Sequence, residues 1–542
     1  MKETLIILGA GVMQGPAIKI AKELGFNTVA LDGSKDAPCI SMADRFEQID
    51  LKDKEGIETF ARSLKNSCSN LGIMTAGTDF SASVAWTAEK LNLLGIPYEA
   101  ALNASDKSRM RECFKKAGIS SPDFMVISED SFSLSSTPFN EALDRFPLVL
   151  KPVDNMGSRG CRRVDTPGEF YEAARAAIGF SRSGRAIAES YMDGPEFSVD
   201  AVYYRGEITI CGLADRHIFF PPYFIEMGHT MPATIEEEKQ QALLETFRAG
   251  VRALGLAGKD SIGAAKGDIK LTACGPMIGE IAARLSGGYM SGWTYPYSSG
   301  ASPIKAAILM AMGKEPQGLN PAKNWTSAER AFISIPGTVK QITRIDEQRT
   351  GNNEYINDFF LRIKEGDKVS FPENNVTKCG NIIASAPDRQ SAVIAAETAA
   401  RSVLIRLESA DEETRKFLLN KSGSLAQGTF IFPPDAFQLT EELKQALEQL
   451  PDYNEANIRA RSIRTSSWLI TPFNSFESSC LTDYMGRTVK EALEAARLLT
   501  GFPLKEAQKN AENNNILGRS FWAALIRGSY QGAVYYIDNL GV

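Results

Sequence analysis

The first hundred residues alternate short apolar runs with segments of helical spacing. The apolar runs at 5–8, 28–32 and 71–75 have the length of buried strands. Between the first two runs, residues 14–24 carry apolar side chains at helical spacing, and Gly25 ends the segment. Strands separated by helices predict a parallel, doubly wound sheet whose ligands bind at the carboxyl ends of the strands. We therefore predict an α/β chain that opens with a Rossmann-like domain.

A glycine-rich turn follows the first predicted strand. It contains Gly9, Gly11 and Gly15, and Asp32 ends the second strand. This spacing is compatible with a dinucleotide site, in which glycines approach a pyrophosphate and an acid binds the ribose. It is equally compatible with a tight turn between a strand and a helix. Because a single, loosened glycine motif is weak evidence, we favour the tight turn.

A later apolar strand, residues 147–152, carries Lys151 near its end, and a small-residue, basic loop follows it. The loop includes Gly157, Ser158, Arg159 and Gly160. Small residues let backbone N–H groups approach an anion, and the lysine adds a point charge, so the segment predicts a phosphate cradle. The order differs from that of a P-loop, in which Gly-Lys-Ser/Thr opens a helix.

Other candidate nucleotide-binding residues lie before and after this loop. Lys107 stands at the start of a predicted helix, where anions gather, although it could also be a solvated surface lysine. Glu189 and Glu196 lie on two predicted strands joined by a hinge that includes Tyr191 and Met192. Extended hinge backbone can bind the edge of adenine, and Glu196 could accept both ribose hydroxyls. For either glutamate alone, a salt-bridged or exposed residue is the competing interpretation.

A pair of acidic residues indicates a metal site. Asp268 and Glu280 lie on two predicted antiparallel strands joined by a turn, which would place them side by side. Facing carboxylates repel unless a cation separates them, and oxygen ligands select Mg²⁺, which also binds nucleotide phosphates. Arg284 could hold a transferring phosphoryl group, and Gly287 and Gly288 leave room for a ligand. The alternative is a solvated hairpin with unrelated carboxylates.

Composition narrows the class of protein. The chain has 542 residues and a net charge of −6, which suits several domains and argues against a general nucleic-acid binder. No run of eighteen apolar residues occurs, so we expect no membrane span. The eight cysteines are scattered singly, without a CxxC pair, so zinc sites and disulfides are not expected. We predict a cytoplasmic enzyme with reduced thiols.

The order of these motifs resembles the ATP-grasp superfamily, and within it the ATP-dependent carboxylate–amine ligases of the L-amino acid ligase branch. The resemblance covers roughly residues 1–400. It implies ATP and Mg²⁺ as cofactors, with Mn²⁺ as a substitute, and it implies small-molecule carboxylate and amine substrates. The implied roles are phosphate binding by Lys107, Lys151 and the 157–160 loop, adenine binding by the 189–192 hinge, ribose binding by Glu196, metal binding by Asp268 and Glu280, and stabilisation of an acyl phosphate by Arg284.

The ligase branch is indicated by the segment 220–232, which resembles a loop that presents a glutamate and a histidine to the substrates. Glu226 and His229 take these places and are candidate catalytic and substrate-binding residues. His229 could bind a carboxylate or an amine, or orient the attacking amine, and a structural loop histidine is the competing interpretation. Asp79 resembles an acid that meets a substrate amino group. One position departs from the superfamily pattern: Ala282 stands where many members have an asparagine metal ligand. This departure makes a biotin-carboxylase type of site less expected.

The resemblance implies three domains and an amide-forming reaction, and helical spacing after residue 411 predicts a fourth domain. The expected domains are a Rossmann-like domain (1–104), an ATP-grasp α+β core (105–334), a small β-rich region (335–410) and a mostly helical C-terminal extension (411–542). The expected reaction passes through an acyl phosphate and releases ADP and phosphate. A purine-biosynthesis or carboxylase type of ATP-grasp enzyme, a nicotinamide-dependent dehydrogenase and a non-catalytic ATP-binding assembly protein remain alternatives. No nucleic-acid or membrane partner is expected. The sequence leaves the oligomeric state open, and a homodimer is one candidate because homodimers are the commonest assembly.

Overall fold

The computed structural model describes residues 2–130, 146–345, 354–419, 433–449, 481–502 and 519–540. The chain divides into two compact units. Unit 1 comprises Met1–Phe219, Glu226–Glu329 and Ile383–Val393, and unit 2 comprises Phe220–Ile225, Arg330–Ile382 and Ile394–Val542. The four-domain division expected from the sequence stays a prediction, and parts of its C-terminal extension lie outside the described residues.

Unit 1 opens with the predicted parallel sheet, which has the strand order β3-β2-β1-β4. The last four side chains of β1, residues 5–8, are fully buried, because they point alternately into two apolar clusters on opposite faces of the sheet. The predicted strands and the first helix are confirmed. The elements are β1 (Glu3–Leu8), α1 (Gly15–Glu23), β2 (Asn27–Asp32), β3 (Arg45–Gln48), α2 (Lys54–Lys65), β4 (Asn70–Thr75), α3 (Ser81–Leu91) and α4 (Tyr98–Ser105).

The glycine turn after β1 is filled by the protein's own side chains. Gln14 is buried, accepts a hydrogen bond from Gly11 N at 3.0 Å and donates one to Ala76 O. A Cβ added at Gly9 would lie 2.8 Å from the Gln14 side chain. The Asp32 carboxylate accepts hydrogen bonds from Ala10 N and Ser34 N. These contacts agree with the tight-turn interpretation, because glutamine occupies the space that the glycines leave.

A small antiparallel sheet follows, with the order β5-β8-β6-β7 and one covering helix, α6. Helix α6 begins with Pro167 and a capping box between Thr166 and Glu169, and its alanine-rich face packs on the sheet. The elements are α5 (Lys107–Ala117), β5 (Phe124–Ser128), β6 (Leu148–Pro152), β7 (Arg162–Val164), α6 (Pro167–Phe180) and β8 (Arg185–Ser190).

Seven strands of a large sheet run through unit 1 in the order β13-β12-β9-β10-β11-β14-β18. One face is apolar: Phe197, Val199 and Ala201 of β9 pack in the same cluster as Leu243 and Phe247 of helix α7. The elements are β9 (Glu196–Tyr204), β10 (Glu207–Phe219), β11 (Ile225–Met231), α7 (Glu237–Ala253), β12 (Ile262–Thr272), β13 (Gly275–Ala282), a π-helix (Met290–Thr294), α8 (Tyr295–Ser299), α9 (Pro303–Ala311), β14 (Thr326–Phe332) and β18 (Gly380–Ala386).

Unit 2 contains a three-stranded sheet, β17-β15-β19, and several helices. Its core includes Phe521, Trp522 and Leu525 of the last helix. Within the described ranges, no helix is both long and apolar enough to cross a membrane. The remaining elements are β15 (Gly337–Arg344), β16 (Ile356–Leu361), β17 (Lys368–Val369), α10 (Arg389–Ser402, which crosses the division between the units), β19 (Val403–Leu407), α11 (Glu412–Leu419), α12 (Glu441–Glu448), α13 (Val489–Thr500) and α14 (Arg519–Asp538).

Candidate active site

The face of the large sheet opposite α7 carries a set of charged side chains, which we name the charged face. Side chains alternate across a strand, so the residues of β9 that do not join the apolar cluster point to this face. Strand register places residues of β10, β12 and β13 beside them. The charged face consists of Glu196, Ser198 and Asp200 of β9, Arg216 of β10, Lys266, Asp268 and Lys270 of β12, and Glu280 of β13.

The predicted acidic pair lies at one end of the charged face. Asp268 and Glu280 are directly opposite each other on β12 and β13, with a bulge beside them. The Asp268 carboxylate is ion-paired with Lys266 and with Arg216, whose Nη1 lies 3.1 Å from Oδ2. Glu280 Oε1 lies 3.3 Å from Lys107 Nζ. The hairpin expected from the sequence is therefore present, and basic side chains balance its two carboxylates.

The charge around Glu280 favours its ionised form. Burial acts to raise the pKa of this carboxyl, but Lys107, followed by Lys266, Lys151 and Arg284, lowers the pKa to about 2. A carboxylate that stays ionised at every working pH is a suitable ligand for a hard cation. Glu280 therefore keeps its negative charge with or without a bound cation.

The donor set fits Mg²⁺ shared between the protein and a nucleotide. Among the described residues, no three His, Cys, Asp or Glu side chains form a group able to hold a metal ion alone. Ala282, opposite Lys266 in the β12–β13 pair, adds no oxygen ligand. Mg²⁺ is commonly held by one or two carboxylates together with phosphate oxygens and water, so Asp268 and Glu280 suffice for such a site.

The two predicted phosphate lysines are held in place by buried contacts. Lys107 opens α5; its backbone N donates to Val153 O at 2.8 Å and its Nζ donates to Asn155 O at 2.9 Å. Burial acts to lower the pKa of Lys107, but the charges of Glu280 and then Asp79 raise it. Both Lys107 and Glu280 therefore remain charged at neutral pH.

Lys151, on β6, takes part in a buried charge cluster. Its Nζ lies 2.7 Å from Glu189 Oε2, and Arg111 Nε lies 2.9 Å from Glu189 Oε1. Glu189 and Arg111 are almost completely buried. Burial acts to raise the pKa of Glu189, but Arg111 and then Lys151 lower it. The Glu189 side chain therefore positions Lys151, and its predicted part in adenine binding would rest on the backbone of the hinge.

The predicted phosphate loop has an unusual backbone. Gly157, Ser158 and Gly160 have φ angles of 69°, 59° and 66°, in the left-handed region. A serine in this region is uncommon, and residues of this kind turn successive N–H groups toward an anion. The Arg159 guanidinium donates to Met156 O at 3.2 Å and so contacts its own loop. The geometry is compatible with the predicted cradle.

The predicted adenine hinge is connected to the charged face. Lys270 Nζ donates to Met192 O at 3.1 Å and lies 3.8 Å from Glu196 Oε2. The Tyr191 ring has Arg163 at 4.3 Å from its centroid and Lys270 at 5.1 Å. The predicted base-binding and ribose-binding residues are thus linked through a single lysine.

The segment predicted as a substrate loop is instead largely a buried strand, β11, and that part of the prediction is wrong. Glu226 and His229 both lie on β11, between β10 and β14. Glu226 Oε2 lies 2.9 Å from Arg216 Nε and 3.5 Å from His229 Nε2. His229 Nδ1 lies 3.0 Å from Glu329 Oε2 on β14. Both ring nitrogens of His229 therefore face carboxylates.

The turn after β13 lies next to Glu226 and His229. A Cβ added at Gly288 (φ +59°) would lie 3.0 Å from Glu226 Oε1 and 3.3 Å from His229 Cε1. Gly77 N donates to Leu285 O at 3.2 Å, and a Cβ at Gly77 would lie 3.4 Å from Gly287 Cα. The end of β4, which leads to Asp79, and the predicted substrate glycines are therefore adjacent.

Arg284 has spare hydrogen-bonding capacity. Its Nη1 donates to Leu285 O at 3.2 Å, and within the described part of the chain its buried Nε has no hydrogen-bond partner. The turn that carries Arg284 is fixed by Asp200, which accepts hydrogen bonds from Ser286 N at 3.0 Å and from Ser286 Oγ. A buried donor of this kind suits an anionic ligand.

Several residues of the site were not identified from the sequence. Period-two alternation on β9 and β12 could have revealed Lys266 and Lys270 next to Asp268, but Arg216 and Glu329 carry no local signal. Arg216 has the largest number of charged partners among them: Glu196, Glu226 and Asp268 all contact its guanidinium. These ion pairs raise the pKa of Arg216 well above its usual range, although burial acts in the other direction.

Comparisons with known proteins agree with this geometry. Residues 144–290 match the ATP-grasp domain family, and residues 331–408 match the L-amino acid ligase C-terminal domain 2 family. The structure is similar to that of L-amino acid ligase from Bacillus licheniformis, with a TM-score of 0.66 and 21% identity over 75% of this chain and 99% of that one. Residues 144–290 are thus similar to an ATP-grasp domain, and residues 331–408 are similar to a C-terminal domain of L-amino acid ligases.

Two curated relatives are ligases or synthases by name. Carnosine synthase 1 of Gallus gallus is 23% identical over 58% of this chain and 36% of its own length. Alanine–anticapsin ligase of Bacillus subtilis is 28% identical over 34% of this chain and 42% of its own length. The chain thus matches less than half of the length of each of these relatives.

Proposed function

We propose that this protein is an ATP- and Mg²⁺-dependent ligase that joins a carboxylate to an amine, with amino acids as substrates. The observation that supports it best is the row of charged side chains across the large sheet, which are connected by ion pairs and, between Glu280 and Asp268, by strand pairing. The row runs from Lys107 and Glu280, through Asp268 and Arg216, to Glu226 and His229. A nucleotide site and a substrate site joined in this way suit phosphoryl transfer from one to the other.

Each part of the nucleotide has a partner in this proposal. The hinge at Tyr191 and Met192 binds the adenine edge, and Glu196 accepts the ribose hydroxyls. Lys107, Lys151 and the 157–160 loop hold the phosphates, and their positive charge offsets that of the triphosphate. Asp268 and Glu280 would hold Mg²⁺, which when bound neutralises charge on the phosphates.

The reaction has two steps. A carboxylate oxygen attacks the γ-phosphorus, the bond to the β–γ bridging oxygen breaks, and ADP leaves with the bonding electron pair. The amine then attacks the acyl carbon, phosphate leaves, and the amine loses a proton. Arg284, whose buried Nε is unpartnered within the described residues, donates to the acyl phosphate as negative charge develops on it.

The first experiment measures phosphate release from ATP and Mg²⁺ across a matrix of amino acids and small acids, with mass spectrometry of the products. We expect ADP, phosphate and an amide for at least one pair of substrates. With an ¹⁸O-labelled carboxylate, one label should pass to phosphate, because the carboxylate oxygen bonds to phosphorus. Formation of AMP and pyrophosphate, with the label in AMP, would contradict the acyl-phosphate route.

The remaining expectations from the sequence are also proposals. Small molecules, not nucleic acids, are the partners that the charged face suits, since its cations are paired with carboxylates of the same chain. A cytoplasmic location and a homodimer are proposed from sequence and class alone. Size-exclusion chromatography with light scattering would decide the oligomeric state.

A further inference from the structure

We propose that Glu329 is a positioning residue that holds His229 as a fixed cation, so that His229 binds an anionic group of the substrate. The alternative role for His229 is that of a base that removes a proton from the amine. The part of this inference that concerns Glu329 and the charge of His229 stands on the structure of unit 1. The part that concerns the substrate rests on the proposed function.

Each of the two ring nitrogens of His229 lies near a carboxylate. His229 Nδ1 lies 3.0 Å from Glu329 Oε2, and Nε2 lies 3.5 Å from Glu226 Oε2. A neutral imidazole has one N–H and one lone pair, and a lone pair directed at a carboxylate is repelled. Two carboxylates can be satisfied together only when both nitrogens carry protons. The geometry therefore selects the imidazolium.

Burial makes this pairing strong. His229 and Glu329 are 2% and 1% exposed, so water screens their interaction little. Glu329 also fixes the orientation of the His229 ring through the hydrogen bond to Nδ1. The contact comes from the neighbouring strand β14, although the two residues are a hundred positions apart in the sequence. The Nε2 contact is longer than the Nδ1 contact, so a ligand would compete with Glu226 for the N–H of Nε2 more easily than with Glu329 for that of Nδ1. Gly288 leaves room for such a ligand next to the ring.

The charged groups around His229 come from three strands. Glu226 lies on its own strand and Glu329 on β14, while Arg216 of β10 pairs with Glu226 and offsets part of its charge. The neighbouring turn contributes Gly288, which has no charge. Burial acts to lower the pKa of His229, but Glu226 and then Glu329 raise it to about 9. An imidazolium at neutral pH donates hydrogen bonds and cannot accept the proton of an amine.

The test uses the small number of histidines. The chain has two histidines, so ¹⁵N-histidine labelling gives one pair of ring-nitrogen signals for each, and their chemical shifts report protonation. His217 Nε2 is hydrogen-bonded to Thr230 Oγ1 at 2.9 Å, and His217 serves as the internal reference. In the wild-type chain, His229 should stay doubly protonated up to about pH 8 and titrate near 9. A midpoint near the ordinary value of about 6.5 would overturn the inference without any variant.

The variant Glu329→Gln keeps the shape and an acceptor oxygen but removes the charge. We expect the His229 midpoint to fall by about 1 to 2 pH units and the His217 midpoint to stay unchanged. Glu397→Gln is the matched control, because Glu397 pairs with Arg330 and its side chain is 45% exposed. An unmoved His229 midpoint in Glu329→Gln would show that Glu329 does not set the charge of the ring.

Kinetics separate binding from base catalysis. If the His229 midpoint in Glu329→Gln lies near 7.5, the fraction of His229 that is protonated at pH 8 falls about fourfold. KM for the carboxylate substrate should then rise about fourfold. At pH 6 both proteins hold the imidazolium, and KM should be equal. An unchanged KM with kcat that increases with pH would instead assign His229 as a base. If the chain ligates nothing, the substrate part falls with the proposed function, and the NMR result still decides the role of Glu329.

Discussion

Replacing Arg216 with methionine gives the sharpest test of how the charged face is held together. Its guanidinium is the shared partner of Glu196, Glu226 and Asp268, all of which are mostly buried. Two of the contacts measure 2.9 Å and 3.1 Å. At such distances, and with an effective dielectric constant of about 20, each attraction is roughly 5 kcal/mol before desolvation is subtracted. Removing one partner of a buried ion pair usually costs about 3–5 kcal/mol.

The cations that stay near the three carboxylates determine where the loss of unfolding free energy falls within about 3–5 kcal/mol. After the change, Asp268 keeps Lys266, Glu196 keeps Lys270 at 3.8 Å, and Glu226 keeps His229 at 3.5 Å. No carboxylate is left without a positive neighbour, so we expect a loss of about 3 kcal/mol of unfolding free energy in Arg216→Met. Arg216→Lys keeps the charge but loses the forked geometry, and it should cost about 1–2 kcal/mol.

The assay is urea unfolding of the full chain, followed by tryptophan fluorescence and far-UV circular dichroism. Arg163→Met is the matched control, because Arg163 stacks on Tyr191 and pairs with a half-exposed aspartate, Asp165. Such a pair contributes about 0–1 kcal/mol, so the control should unfold nearly as the wild type does. An Arg216→Met variant within 1 kcal/mol of the wild type would refute the view that this guanidinium balances three buried charges.

Three further predictions concern the site. Glu280→Gln should lower kcat by at least about 100-fold, because it removes charge at the proposed metal position while keeping shape; near-normal phosphate release would reject that assignment. Gly288→Ala should cost about 1 kcal/mol in stability from its positive φ and should also raise KM by crowding Glu226. The control is Gly118→Ala: Gly118 has a similar φ, and a Cβ added there would have no atom within 4 Å. This control should lose stability without any change in KM. Because the pKa of His229 is raised to about 9, its stabilising effect is complete below about pH 6.5 and is lost as the pH rises through 9. The difference in unfolding free energy between the wild type and His229→Gln should therefore shrink above pH 9, and a difference that grows with pH would contradict the charged state.

The acidic pair shows what local sequence can predict. Asp268 and Glu280 flank a short turn between two strands, so the hairpin alone sets their register, and the structure places them directly opposite each other. Lys107 was predicted from its position at a helix start, and it occupies that position. In these cases the information lies within a few residues of the side chain concerned.

The β11 segment shows why other parts could not be predicted. All seven residues of Ile225–Met231 are buried, so the strand lacks the alternation that marks a half-exposed strand. Its glutamate, glycine, histidine and threonine resemble the composition of a loop. In the structure, Glu226 pairs with Arg216 of β10 and His229 pairs with Glu329 of β14. The partner Glu329 lies a hundred residues away from His229. No local pattern reports a contact of that range.

The charged face also explains how substrate binding can occur without leaving charges exposed. Lys107 is paired with Glu280, Lys266 with Asp268, and Lys270 with Glu196. Under the proposed function, a triphosphate would compete for these lysines, while Mg²⁺ and ribose would compete for their carboxylates. A nucleotide bound together with its metal exchanges both members of each pair at once, whereas either ligand alone would leave half of the pairs unbalanced. Because unbalanced buried charges are costly, the proposed site would favour the metal–nucleotide complex over its separate parts.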